Sequence, residues 1–185
     1  MRQDDLNTGL TGDRARRAGE GELAHLKDLK DFDIPKGEPD PRGWDVKTGD
    51  GAKIGKVEDL LVDTGLGRIR YVEVKLKGDV ADRADKEYIL IPIGAARLDD
   101  EHDDVIISVS QANLAGIPAY DRERLSRDYE RSLSTHYEGT TARQVSDAAI
   151  DVDVDFYAQP QFDERSFFAN RRKGREDRPY LTRAD

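Results

Sequence analysis

The chain has 185 residues, 36% of them apolar and 37% charged, with a formal net charge of -9 and a mean hydropathy of -0.80. That balance excludes a single core running the whole length, and the acidic total argues against a general nucleic-acid binder, which needs cations to displace counterions from phosphate. Absence of cysteine excludes a disulfide framework, a thiolate metal site and a cysteine nucleophile. A core of about 70–80 residues with charged extensions fits better, and a sheet of that size is only marginally favoured alone.

The first residues, 1–22, are charged, Gly-rich and aperiodic, which predicts disorder; they carry no apolar run that would read as a signal peptide. Leu23, Leu26, Leu29 and Phe32 recur three apart and predict a short helix or a segment lying across a sheet. Pro39 and Pro41 end it, so residues 1–43 are taken as a flexible extension. Short β-type runs bounded by Gly or Asp follow. Trp44–Val46 opens, Asp50-Gly51 turns the chain, and Ile54–Val62 forms a second strand, with Gly55 at a bulge or a close backbone approach. A third strand covers Ile69–Leu76, with Glu73 and Lys75 facing away from Val72, Val74 and Leu76.

The polar stretch 77–87 reads as an exposed loop. Tyr88–Ile93 is apolar at nearly every position, as in a strand covered on both faces, and Pro92 marks its exit. Val105–Val109 is the last strand. Ser110–Leu114 reads as a helical turn with Ser110 as its cap. Residues 121–137 form the strongest helix, with Leu125, Tyr129, Leu133 and Tyr137 in one narrow stripe, Asp121 as cap and Gly139 as stop. Residues 140–185 read as a mostly flexible tail. Ala149–Phe156 alternates as an edge strand would, and Arg165, Arg171, Arg172, Lys173, Arg175, Arg178 and Arg183 face only Glu176 and Asp177. The fold expected is mainly β: a small antiparallel β-barrel over 44–116, a linker and terminal amphipathic helix over 117–139, and flexible ends.

The segment GDGAKIGKVEDLLVDTGLGRIRYVEVKL resembles the opening strands of a PRC-barrel, carried by Gly55, Asp59, Asp63, the Arg70-Tyr71-Val72-Glu73 run and the later Ile91-Pro92-Ile93 strand end. SQANLAGIPAYD and RLSRDYERSLSTHYEG extend the likeness toward the cytoplasmic part of the photosynthetic reaction-centre H subunit. The resemblance implies a binding and organising module, and it marks Glu73 as a candidate proton-transfer carboxyl. A ribosome maturation factor shares the same barrel, which implies RNA or ribosome association as an alternative.

No catalytic constellation is present: no G-x-S-x-G elbow, no P-loop and no dinucleotide fingerprint. The three histidines share no ligand spacing, and the acidic run with Asp99, Asp100, Asp103 and Asp104 lacks the glycine of a calcium loop, so it is at most a weak metal candidate. No cofactor is expected. The expectation is a non-enzymatic, cytoplasmic protein-interaction or scaffold module acting on a protein partner or on itself, with a stress-protective role also suiting the composition. Trp44 and Tyr71 are the candidate anchors on the barrel, and the stripe Leu125, Tyr129, Leu133 and Tyr137 is the candidate helix face. Arg171, Arg172, Lys173 and Arg175, near Phe167, Phe168 and Tyr180, are the candidate contacts for RNA or another anionic partner. A membrane pigment protein is the partner implied by the H-subunit likeness, although no transmembrane segment is read.

Overall fold

The computed structural model describes residues 22–141, 156–169 and 179–183. In chain order the strands are β1 (Leu23–His25), β2 (Phe32–Asp33), β3 (Asp45–Thr48), β4 (Lys53–Asp63), β5 (Arg68–Leu76), β6 (Tyr88–Pro92), β7 (Ala96–Asp99), β8 (Asp104–Ile107) and β9 (Thr182–Arg183). The helices are α1 (Gly78–Ala84), α2 (Arg127–Thr141) and the one-turn α3 (Glu164–Phe167).

The main sheet runs β6-β5-β4-β3-β8-β7, and β1 pairs with β4 beside that path. β4 is long enough to serve two neighbours on one edge: Lys53–Lys56 pair with β3, and Leu61–Asp63 pair with β1. All the main-sheet pairs are antiparallel except β3 with β8, where Val46 lies opposite Val105 in parallel register. In place of the expected small antiparallel barrel, the described residues form a mixed sheet with no closing ladder. The two path ends, β6 and β7, are joined by a 3-10 turn, Ile93–Ala95, and Pro92 just before it has no N–H to continue a ladder. The core fills from both sides, with Val46, Ile54, Leu60, Val62, Ile69, Val72, Val74, Leu98 and Val105 fully buried. In β6, Ile89, Leu90 and Ile91 are buried in succession, as their continuous apolar pattern predicts.

The Leu23–Phe32 stripe does not form a helix of regular length. It is strand β1, a 3-10 turn at Leu26–Asp28, and then β2, which pairs with β9. Pairing with β4 satisfies more backbone groups than an isolated helical turn could. The stretch expected as an exposed loop after β5 holds α1 instead, because Val80 and Ala84, four residues apart, both reach the core. Ser110 does precede a 3-10 helix, Gln111–Gly116, but its side chain makes no capping bond.

α2 starts later than the spacing predicts. Ser126 accepts from the Tyr129 N–H at 3.2 Å, whereas Asp121 caps only a local turn through the Glu123 N–H. The helix continues past Gly139 to Thr141. The expected edge strand 149–156 falls almost wholly outside the described residues. Residues 156–169 are not a free tail. Two 3-10 turns (Phe156–Ala158 and Pro160–Phe162) and α3 bury Tyr157, Phe162, Phe167 and Phe168 against the sheet side of the molecule. Burial of four aromatic rings supplies several kcal/mol, at roughly 1.5–3 kcal/mol per large apolar side chain, which a composition average over a charged tail conceals.

Candidate functional site

β5 carries most of the polar chemistry of the fold. Glu73 lies opposite Asp59 across the β4–β5 ladder, and both are fully buried. Arg122, arriving from the segment before α2, clamps Glu73 with its Nε 2.7 Å from Oε1 and a terminal nitrogen 3.0 Å from Oε2. His25 Nε2, on β1, is 3.3 Å from the same Oε1 and 3.4 Å from the Tyr120 hydroxyl. The Arg122 guanidinium also lies 4.4 Å above the Tyr88 ring. Asp59 accepts from the Leu60 N–H at 2.9 Å.

Burial works to raise the Glu73 carboxyl, but hydrogen bonds from His25 and Arg122 outweigh it, and its pKa falls below the usual carboxylate value. Asp59, with the burial and weaker compensation, is pushed the other way. Glu73 is thus held charged by a bidentate guanidinium. A depressed pKa means the folded state holds its charge more firmly than the unfolded chain. The stabilisation is present above the unfolded value, about pH 4.3 for a glutamate, and is lost as pH falls through the lower folded value. Asp59 contributes in the opposite sense, its cost easing as it takes up a proton. The melting temperature should therefore differ most between wild type and Glu73→Gln near neutral pH, and the gap should close in acid. Thermal melts from about pH 3 to pH 7 read this directly; a gap that stays constant would mean the clamp is not what Glu73 contributes.

A second buried carboxylate, Glu130 on α2, accepts from the Tyr71 hydroxyl at 3.2 Å and from the Tyr157 hydroxyl at 2.5 Å, with an Arg127 nitrogen at 3.3 Å. Burial, followed by the Glu130 charge, raises the Tyr71 hydroxyl well above its ordinary pKa, so it remains a donor. Tyr71, expected as an exposed anchor, is fully buried, packed edge-on to Phe162 at 5.5 Å. It is the internal foot of the Glu130 network and offers no surface to a partner. The helix stripe is likewise internal: Leu133 and Tyr137 are fully buried, and Leu125 and Tyr129 pack on the core. Trp44 is only partly buried, between β3 and its turn, with Lys53 and Lys56 both bridged to the adjacent Asp45. Of the two barrel anchors, it alone keeps an open face.

The Gly43–Val57 and Trp44–Val57 backbone bonds fix the β3–β4 entry into that sheet order. Residues 38–114 match the PRC-barrel domain. The PRC-barrel domain thus spans β3 to β8 and part of the following 3-10 helix, leaving β1, β2, α2 and the 156–169 segment as additions around it.

Other expected residues sit apart from these networks. Asp104 pairs with Lys47, and Asp99 with His102 Nδ1 at 3.0 Å. Among the described residues no group of three or more His, Asp or Glu side chains is placed to hold a metal, so Asp99, Asp100, Asp103 and Asp104 do not converge as ligands. Arg171, Arg172, Lys173 and Arg175 lie outside the described residues. Phe167 and Phe168 are buried, and Tyr180 stacks on Phe168 at 4.2 Å. Phe167 and Phe168 therefore serve the fold, and Tyr180 covers Phe168 while itself only partly buried. No local pattern in the sequence points to Glu130, Arg122 or Glu164, and Asp59 is visible there only as one of the residues carrying the family likeness.

Proposed function

We propose that the chain is a non-enzymatic protein-interaction or scaffold module whose rigid part is the PRC-barrel domain. The observation that carries this reading is the match over residues 38–114, since PRC-barrel domains often mediate protein interactions. The surface supports it in a limited way. Leu66, in the β4–β5 turn, is the exposed large hydrophobic side chain among the described residues, and Trp44 is a partly open aromatic next in sequence to Asp45, which Lys53 and Lys56 bridge. A Trp within a polar rim is the usual composition of an interaction hot spot.

The test is capture of partners from the source-cell lysate by tagged full-length chain at low and high salt, with Trp44→Ala and with Arg171, Arg172, Lys173 and Arg175 replaced together by serine. Partners that survive high salt and the serine variant, and fall about tenfold with Trp44→Ala, support the module. Loss with salt or with the serine variant would instead support the RNA- or ribosome-associated reading.

A reaction-centre-like role in proton transfer rests on the H-subunit resemblance of the Glu73 strand. The bidentate clamp by Arg122 favours an anchoring role for that carboxylate over proton delivery. No helix among the described residues is long and apolar enough to cross a membrane. A stress-protective role rests on composition alone and predicts recovery of the chain without any partner.

A further inference from the structure

The segment 156–169 lies outside the PRC-barrel match, yet it buries part of that domain. It contributes no strand to the seven-stranded sheet. Its pieces are two three-residue 3-10 turns and a four-residue helix, none of which is stable in isolation, so its order comes from what it docks on.

The dock is built to receive it. A side chain at Gly94 would collide with the segment's backbone, its Cβ falling 2.3 Å from the Pro160 carbonyl oxygen and 2.8 Å from the Gln161 carbonyl carbon. Phe162 sets its ring against Tyr71. The β4–β5 ladder is irregular between Leu61 and Val62, and the Ile69 N–H there donates to Glu164 Oε2 at 3.1 Å while Arg68 holds Oε1 at 2.9 Å. Arg70 lies 4.2 Å over the Tyr157 ring. The site thus combines a backbone notch, an aromatic wall, a strand N–H that donates to the segment's carboxylate and two guanidinium groups. It is complementary to an aromatic segment carrying one carboxylate.

We propose that this notch is a docking site for the 156–169 segment, filled in cis within one chain and open in trans to the same segment of a second copy. The proposal rests on the reading of the chain as a protein-binding module and specifies self-association by segment exchange. A second copy is the occupant because it presents the one ligand whose fit is seen in full. Residues 142–155 connect α2 to the segment, and fourteen residues can reach at most about 50 Å, enough to cross to a neighbouring molecule. Exchange of an identical element replaces each intramolecular contact by the same contact between chains, which makes it a low-cost route to a dimer.

The test mixes two full-length variants. Gly94→Ala blocks the notch and leaves its own segment intact. Phe162→Ala with Glu164→Ala cripples the segment and leaves its notch intact. Each alone should run as a monomer in size exclusion with light scattering, and the mixture should give a two-chain complex in equal proportion. A mixture that stays monomeric, with both variants showing the wild-type circular dichroism and a cooperative melt, overturns the proposal. Should either variant fail to fold, hydrogen exchange on the wild-type chain decides. The Phe162, Asp163 and Phe168 amides, bonded within the segment to Gln159, Pro160 and Glu164, should exchange at least about tenfold faster than the β4–β5 amides. Equal rates would mean the segment opens only when the whole fold opens, and would also overturn it. Failure on either count leaves the broader binding-module reading intact, because partner capture from lysate tests that separately.

Discussion

Glu130→Ala is expected to cost about 3–5 kcal/mol of stability, the usual consequence of removing one member of a buried charged network. Glu130 is fully buried, and the Arg127 side chain that faces it is only 11% exposed. The carboxylate ties together three parts of the chain distant in sequence: Tyr71 on β5, Arg127 on its own helix and Tyr157 in the C-terminal segment. Its loss removes one shared acceptor from two buried hydroxyls and one negative charge from beside a guanidinium. Glu130→Gln keeps the shape and an acceptor oxygen, and should cost less than half as much. Urea denaturation with linear extrapolation measures both. A cost below about 1 kcal/mol for the alanine variant would show that the network contributes little net stability, as some buried ion pairs do.

Gly55→Ala is expected to be comparably damaging for a different reason, at about 3 kcal/mol, the upper range for overpacking. An added Cβ would lie 2.1 Å from the Lys75 carbonyl oxygen and 3.0 Å from the Leu76 Cα, both backbone atoms of the paired strand β5. No rotamer change relieves that contact, so β4 and β5 must separate at the point where Gly55 also faces Val46 of β3. Gly51→Ala is the control. Gly51 has a φ of 85° but open space around its Cβ position, so it should cost only about 1 kcal/mol of backbone strain. If Gly51→Ala proves the more harmful, the close strand approach is not the constraint at position 55. Thermal or urea melts of the two variants side by side give the answer.

How much of this was legible beforehand differs by element. β4, β5 and β6 are readable because apolar alternation or continuity is bounded by turn residues on both sides, and Gly55, expected at a bulge or a close backbone approach, lies at a close approach to β5. β7 was overlooked, although Ala96 and Leu98 are buried and Arg97 is exposed; the pattern is only two apolar residues long. α1 was hidden because two buried residues, Val80 and Ala84, stand among Asp79, Asp82 and Arg83. Residues 156–169 were read as tail because Pro160, Gln159, Gln161 and Asp163 dilute the aromatics. The buried carboxylates were the least legible. Glu73 meets Arg122, and Glu164 meets Ile69, across 49 and 95 positions of chain, and no local pattern records a partner so distant. Tyr71 reads as a surface anchor but is buried, and the narrow stripe of Leu125, Tyr129, Leu133 and Tyr137, which suits docking on a sheet as well as on another chain, packs on the core of its own chain.

The parallel β3–β8 ladder bears on the order in which the chain can be assembled. β3 acquires its β8 neighbour only when residues near Asp104–Ile107 exist, and Asp45 pairs in register with Asp104. During synthesis at about 5–20 residues per second, the intervening stretch keeps one edge of β3 open for roughly 3–12 s. An open strand edge is a template for wrong pairing, and alternating charge on it is a recognised safeguard. β3 carries Asp45 and Lys47, and these same side chains later bridge to Lys53, Lys56 and Asp104. Charges that read as ordinary surface salt bridges in the finished protein would thus protect the nascent chain, and neutralising them should show first as lower soluble yield at elevated temperature, with little change in the stability of molecules already folded.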